Sequence, residues 1–257
     1  MFLKLNTFYL ESQIWKLTSV DNSLNLSIGS EILERIGNDC KIKSYKFIGH
    51  HLDEHITWEP HINHIYSKLA SANFMISNAK NLLPLNLRLT LYNSLFKSHL
   101  QFGILAWGNA PKKYLKKICT LQKKCVRNVA NKHFRSHTDP IFSSLKILKI
   151  ENILRYESLI YMHNYAYARL PPTMLDMFTP LKTNSRNGHY LLKKYKSSFC
   201  DRFPSSFLPK IWNHNSKNIK NILKTSSVKT KLRNEIFSTY NEIETCDYDL
   251  CPDCQKI

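Results

Sequence analysis

Residues 111–130 read PKKYLKKICTLQKKCVRNVA, and this stretch decides how the middle of the chain folds. At about 100° per residue, its apolar side chains fall on one half of a helical wheel and its cations on the other. The apolar half holds Leu115, Ile118, Leu121, Cys125, Val126 and Val129. The other half, here called the cationic ridge, holds Lys112, Lys113, Lys116, Lys117, Lys123, Lys124 and Arg127. The pattern predicts a helix after Pro111 that buries one face.

Further helices are predicted on both sides of this one. Apolar residues recur at spacings of three and four from Ile62 to Ala79, after Pro60, which suits a first helical turn. A second helix should begin after Asn86, a good N-cap residue, and run to about residue 103. Two more are indicated at residues 139–148 and 151–169.

The two ends of the chain have other patterns. Broken apolar alternation around a Gly-Ser turn predicts a small antiparallel β unit at residues 24–49. Residues 183–207 are polar with little periodicity, which indicates a long loop or a region of short strands, and a last helix is predicted at 228–240. The expected fold is therefore mainly α with a small N-terminal antiparallel β unit, divided into segments 1–57, 58–170 and an irregular 171–257.

The net positive charge of the chain and its distribution narrow the range of possible functions. The chain has 37 Lys and Arg against 19 Asp and Glu, a net charge of +18, and residues 60–138 contain no acidic side chain. Such a balance is typical of proteins that bind polyanions. An anionic membrane is the weaker alternative, because the apolar stripe of residues 111–130 lacks the Trp or Phe usual at a membrane interface. No run reaches the roughly 18 apolar residues of a membrane span.

The sequence also favours an intracellular protein, nuclear or cytoplasmic. The first residues lack the small-residue cleavage site of a signal peptide. Seven cysteines are an odd number without a disulfide framework spacing, which does not fit a secreted protein.

Phosphate contact is the predicted role of the cations in the middle of the chain. Ordinary solvated helix faces mix charges of both signs, whereas like charges alone repel one another at some cost in stability. The predicted nucleic-acid-binding set comprises the cationic ridge together with Lys132, Arg135, Lys193, Lys194 and Lys196. Aromatic side chains in the same regions could stack on bases, with core filling the more common role: Tyr114, Phe134, Tyr190, Tyr195 and Phe199. Among these, the lysine-rich setting of Tyr190 and Tyr195 favours contact over burial.

Three groups of residues have the composition of a metal site. Cys246, Cys251 and Cys254 include a Cys-x2-Cys spacing that zinc favours, with Cys200 or His214 as candidate fourth ligands. Histidines cluster between His50 and His64, where packing or capping is the more common role. Cys119 and Cys125 precede two histidines, but lie about 120° apart on the predicted helix, which does not suit one metal ion.

Several short motifs resemble those of jockey-like non-LTR retrotransposon reverse transcriptases, in the segment that follows the polymerase palm. Residues 45–62 read YKFIGHHLDEHITWEPHI, and the matching positions are Gly49, Leu52, Asp53, Trp58, His61 and Ile62. Further matches follow in the same order, at residues 106–108, 121–127, 136–140, 170–172, 183–186 and 208–213.

The resemblance implies that residues 24–57 are the last palm strands and primer-grip hairpin and that 58–170 are a thumb-like helical bundle. The family's catalysis depends on an upstream pair of adjacent aspartates, and this sequence contains no such pair. Asp53-Glu54 is the closest substitute, but the resemblance places it beyond the active site. We therefore expect no catalytic residue here, magnesium bound only by the palm, and RNA or DNA backbone and that palm as partners. The alternative is a domesticated, zinc-stabilised nucleic-acid-binding or adaptor protein.

Overall fold

The computed structural model describes residues 27–28, 31–32, 44–181, 189–192, 200–214, 222 and 224–241. Within this part the chain is mainly helical, with small antiparallel sheets near the N-terminus, so the expected fold class is confirmed. The chain forms two compact units. Unit 1 comprises residues 1–60 and 161–223, and unit 2 comprises residues 61–160 and 224–257.

The N-terminal part of unit 1 contains two β hairpins. Strand β1 (Ser27–Ile28) pairs with β2 (Glu31–Ile32), and β3 (Ser44–Phe47) pairs with β4 (His50–Asp53). Ile48 and Gly49 join β3 to β4 with φ of 46° and 80°. Two successive residues with positive φ are typical of the tight hairpin turn whose twist matches paired strands. The predicted β unit at 24–49 therefore extends four residues further, because its second run pairs with the strand that follows it.

Among its other described residues, unit 1 is helical or irregular except for an antiparallel β-bridge between Pro180 and Tyr190. It contains two 3-10 turns, Pro172–Met174 and Cys200–Arg202, and the helix Pro204–Asn213, which we call α8. The prediction of an irregular segment at 183–207 was wrong for residues 204–207, which form the start of α8. Pro204 occupies the first helical position, where its missing N–H has no intrahelical partner to lose. Helical periodicity does not predict α8, because Pro209 lies inside the helix and the sequence before it is polar.

Unit 2 is built from helices that follow one another closely. In chain order these are α1 (Glu59–Ala79), α2 (Leu85–Leu91), a π-helical segment (Tyr92–Lys97), α3 (Ser98–Gln101), α4 (Ile104–Trp107), α5 (Lys112–Ala130), α6 (Asp139–Ser144), α7 (Ile150–Ala166) and α9 (Thr225–Asn241). Residues 59–60 of α1 and 161–166 of α7 lie in unit 1.

Several helix ends differ from their predicted positions: the helix predicted at 151–169 ends at Ala166, and the one predicted at 228–240 begins at Thr225. Helix α2 begins at Leu85 with Pro84 as its N-cap, so Asn86 lies inside the first turn instead of capping it. The helix predicted at 139–148 ends at Ser144, because Lys146 takes a left-handed φ of 51°. The N–H of Ile147 then donates to the carbonyl of Phe142 at 3.0 Å, which satisfies a terminal carbonyl of α6.

Trp107 lies at the centre of the unit 2 core. Its side chain is fully buried, and its indole N–H donates to the Phe102 carbonyl at 2.9 Å. The His61 ring meets it edge to face, with 5.9 Å between centroids. At the next residue, Gly108, an added Cβ would lie 2.5 Å from the Ile104 carbonyl oxygen. These contacts give the Trp-Gly motif and the buried His61 a role in packing the core.

Gln122 links α5 to its neighbours inside unit 2. Its side chain is 1% exposed, and its Nε2 donates to the Tyr92 hydroxyl at 3.1 Å and to the Leu148 carbonyl at 2.9 Å. Its Oε1 accepts from the N–H of Ile150 at 3.0 Å. Its burial has a signal in the sequence, because on the helical wheel Gln122 falls within the apolar half. A polar residue buried at such a position needs hydrogen-bond partners, which other elements supply.

No helix among the described residues is both long enough and apolar enough to span a membrane.

Candidate nucleic-acid interface

Helix α5 has the two faces that its sequence predicts. Its buried side chains include Ile118, Cys125, Val126 and Val129, whereas all six lysines of the cationic ridge are exposed. Leu115, predicted to be buried, is only half-buried, at the edge of the apolar face. Because the apolar face packs inside unit 2, the lysines are held on the surface in a fixed helical array.

A groove lies between the middle of α5 and helix α1. It is open to solvent and has a volume of about 300 Å³. Its lining residues are Tyr66 of α1 and Lys113, Lys116, Lys117, Thr120, Leu121 and Lys124 of α5. A hydrogen bond of 2.9 Å from Asn128 Nδ2 to Asn73 Oδ1 connects the same two helices. We call this feature the lysine groove; Lys112 and Lys123 lie on the same helix outside it.

The spacing of the groove lysines suits a regular polyanion. Lys117 and Lys124 are seven residues apart, which is about two helical turns and roughly 10 Å along the axis. That separation corresponds to about three steps of a nucleic-acid strand at 3.4 Å per charge. The groove contains no carboxylate among its lining residues. The array therefore presents several ammonium groups to one ligand.

Tyr66 adds an aromatic edge to this groove. Its side chain, on α1, is 38% exposed. Two neighbouring surface residues of Tyr66 on the same helix, Asn63 and Ser67, are uncharged. A phenol can pack against a sugar while its hydroxyl donates to a phosphate. Periodicity does not distinguish Tyr66 from other helix residues, because nothing in the local sequence of α1 shows that α5 lies beside it.

Arg127 differs from the lysines of the cationic ridge. It is half-buried, and its Nε donates to the Ser136 carbonyl at 2.8 Å. Burial lowers the pKa of this guanidinium from its ordinary value. The guanidinium of Arg127 therefore uses at least one N–H to anchor the loop at residues 131–136.

The other predicted cations lie in different places. Lys132 and Arg135 are exposed on the loop that follows α5. Lys193, Lys194 and Lys196 fall outside the described residues, as do Tyr195 and Phe199. The α5 lysines and the loop cations thus both belong to unit 2.

Tyr190 is buried, so the prediction that it favours contact with nucleic acid was wrong. It is 8% exposed, and its ring packs against Tyr165 and Phe178 with centroid distances of 5.5 Å and 5.9 Å. Asn213 holds its backbone, accepting from the N–H at 3.0 Å and donating to the carbonyl at 2.8 Å. Burial raises the pKa of Tyr190 to about 12. Tyr114, which lies on α5, is likewise buried.

Asp53 organises the loop between β4 and α1. Its Oδ2 accepts from the N–H and the hydroxyl of Thr57, each at 2.9 Å, and its Oδ1 accepts from the N–H of Trp58 at 3.0 Å. Ile56 and Trp58 have positive φ of 44° and 64°, which L-residues adopt only with support from their surroundings. Both oxygens of this carboxylate therefore serve the backbone, which gives the Leu-Asp motif a structural role.

The three candidate metal sites lie in different parts of the chain, and the structure describes only some of their residues. Among the described residues, no group of three or more His, Cys, Asp or Glu side chains could hold a metal ion. Cys125 is buried, and burial raises the pKa of its thiol, which disfavours the thiolate that metals bind. Cys246, Cys251 and Cys254 lie outside the described residues, so zinc at the tail stays a prediction.

Comparison with known proteins identifies two relatives. The chain is 30% identical over 124 residues to the RNA-directed DNA polymerase from mobile element jockey of Drosophila melanogaster, which covers 47% of this chain and 13% of that protein. The corresponding protein of Drosophila funebris is 28% identical over 115 residues, or 43% of this chain and 12% of its own length. No family model matches the chain, and no solved structure matches it.

These similarities confirm the resemblance to a jockey-like reverse transcriptase that the motifs indicate. The matched part is about an eighth of the length of these relatives.

Proposed function

We propose that this chain, whose similarity to the polymerases of jockey elements covers almost half its length, is the post-palm part of a retrotransposon reverse transcriptase. In this proposal unit 2 acts as a thumb that holds template–primer duplex, RNA–DNA or DNA, in the lysine groove. The observation that carries the proposal is the groove itself, where four lysines of one helix line a single open depression.

The groove favours recognition of backbone over recognition of sequence. Lysine ammonium groups are strong partners for phosphate but carry little base information. The groove is open to solvent, and its lining contains no Arg, Asn or Gln side chain that could pair with a base edge through two hydrogen bonds. A polymerase that moves along its template needs this kind of contact, because it must hold every sequence equally.

Polymerisation itself is assigned to a palm that would contain the adjacent aspartates and their magnesium ions. The carboxylate nearest to that description here, Asp53, is engaged by Thr57 and Trp58. Two-metal catalysis needs carboxylates directed at a pair of cations about 3.5–4 Å apart. We therefore propose that this chain contributes grip and position, and that the palm is its partner.

The first prediction concerns the salt dependence of binding. If the four groove lysines each neutralise one phosphate, the logarithm of affinity should fall with log salt by about 0.9 per contact, a slope near −3.6 on duplex DNA. The test is fluorescence anisotropy of the full chain with several unrelated duplexes between low and moderate salt. Similar affinities across sequences with a steep common slope support the proposal. A slope near zero, or binding confined to one sequence, would contradict it.

The second prediction concerns catalysis. The purified chain, incubated with a primed poly(A) template, dTTP and magnesium or manganese, should extend the primer no more than a control without protein. A known reverse transcriptase in parallel verifies the template and nucleotides. Incorporation that co-purifies with this chain would mean that its own carboxylates assemble a metal site, and would overturn the assignment of polymerisation to the palm.

A further inference from the structure

We infer that Phe134 is a stacking platform for an unpaired nucleobase adjoining the duplex in the lysine groove. This inference rests on the proposed function and deepens it, because it specifies a junction between double and single strand as the preferred substrate. Its starting point is the loop at residues 131–136, which follows α5 and is here called the α5 loop.

Phe134 is placed on the surface. Its side chain is 68% exposed, as are the side chains of Phe74 (65%) and Phe102 (52%) in the same unit. A single exposed apolar side chain is ordinary, so exposure alone means little. The neighbours of Phe134 distinguish it: His133 lies beside its ring at 4.4 Å between centroids, and the Arg135 guanidinium lies 5.2 Å from its centroid.

This combination matches the chemistry of single-stranded nucleic acid. Every base has a π face that can stack on an aromatic ring, and the backbone between bases is anionic. Phe134 supplies the ring, the Arg135 guanidinium lies over it, and the exposed Lys132 adds a second positive charge in the same loop. A membrane anchor would instead need an apolar surface around the ring; the flanking residues of the α5 loop are polar or cationic.

The α5 loop is held in place by several hydrogen bonds. Asn131 ends α5 in a left-handed conformation with φ of 51°, and the N–H of Lys132 donates to the Arg127 carbonyl at 3.0 Å. The N–H of Ser136 donates to the His133 carbonyl at 3.0 Å. The Ser136 carbonyl in turn accepts from Arg127 Nε at 2.8 Å. A loop fixed in this way loses little conformational entropy when a base stacks on it.

The α5 loop also leaves the helix on the side of the groove. Asn131 is seven residues after Lys124 and fourteen after Lys117, so the three positions lie within about 40° of one another around the helix. The loop begins roughly 10 Å beyond Lys124 along the axis. A strand that emerges from the lysine groove at this end therefore comes close to Phe134.

The test compares two DNA ligands that differ only at one end. One is a blunt duplex, and the other carries a short single-stranded overhang with 2-aminopurine as its first unpaired base. Wild-type protein should bind the overhang ligand more tightly and change the 2-aminopurine fluorescence. Phe134→Ala should lose roughly 5- to 150-fold on the overhang ligand, the usual range for one stacked base. Its affinity for the blunt duplex should stay within about twofold, because phosphate contacts remain.

Matched variants separate stacking from other effects. Phe134→Tyr keeps a π face and should retain the preference for the overhang. Phe134→Leu keeps an apolar side chain without that face and should behave like Phe134→Ala. Phe74, also in unit 2 and 65% exposed, provides the control. Phe74→Ala should leave binding to both ligands unchanged.

The outcomes also distinguish this inference from the proposed function. If wild-type protein binds neither ligand, both are overturned. If it binds duplex with a steep salt slope but Phe134→Ala and Phe134→Leu leave the overhang preference intact, the stacking platform is wrong and the duplex grip stands. If Phe134→Ala instead abolishes binding to vesicles of anionic lipid that the wild type binds more tightly than DNA, the α5 loop serves a membrane.

Discussion

Replacing Lys116, Lys117 and Lys124 together by glutamine is expected to weaken duplex binding by up to roughly 500-fold at about 0.1 M salt. All three lysines line the lysine groove and are exposed on α5. Each lost phosphate contact removes about 0.9 from the slope of log affinity against log salt. Three contacts therefore make the slope shallower by up to roughly 2.7, and the affinities of wild type and variant should converge towards about 1 M salt.

Substitution by glutamine removes the positive charges without disturbing the fold of α5. Glutamine has nearly the same helix propensity as lysine, and the buried face of α5 is unchanged. Circular dichroism and the free energy of unfolding should therefore match the wild type, with a small gain if repulsion between the lysines is relieved. The loss of affinity should be similar on unrelated sequences, because phosphates carry no base information.

Two controls test whether position matters as well as total charge. Lys224, Lys229 and Lys231 are exposed in the C-terminal part of unit 2, and their triple glutamine variant removes the same charge away from the groove. It should lose much less affinity. Lys112 and Lys123 lie on α5 outside the groove, so their double variant should fall between these two. Equal losses in both triple variants would mean that only net charge matters and that the lysine groove is not a binding site.

Trp107→Ala is expected to lower the free energy of unfolding of unit 2 by about 3–5 kcal/mol. The indole is fully buried, so its removal leaves a large cavity that the surrounding helices fill only partly. The substitution also removes the hydrogen bond to the Phe102 carbonyl and the edge-to-face contact with His61. Urea denaturation followed by circular dichroism at 222 nm measures the change.

Phe74→Ala is the matched control for Trp107→Ala. Phe74 is a large aromatic residue of the same unit, but its exposure predicts a change within about 0.5 kcal/mol. The comparison also tests the meaning of the Ala-Trp-Gly motif. If Trp107→Ala stays as stable as Phe74→Ala yet loses nucleic-acid binding, this motif is part of an interface and not of the core.

Helix α5 is the element that the sequence determined most completely. Its start after Pro111, its buried face and its exposed lysines all follow from periodicity, because a regular helix converts position in the chain directly into direction. The pairing of β3 with β4 is harder to predict from the sequence. It depends on a turn in which Ile48 adopts a positive φ, which β-branched residues disfavour.

Tertiary structure decided which residues share a site. Tyr66 meets the α5 lysines from a helix about fifty residues away, and Tyr190 is buried by Tyr165, Phe178 and Asn213 despite its lysine-rich sequence surroundings. Phe134, in a similarly basic stretch, stays exposed because hydrogen bonds hold its loop at the surface. Periodicity reports only whether a side chain faces inward along its own element. Which neighbours cover it depends on non-local packing, which one element's sequence does not encode.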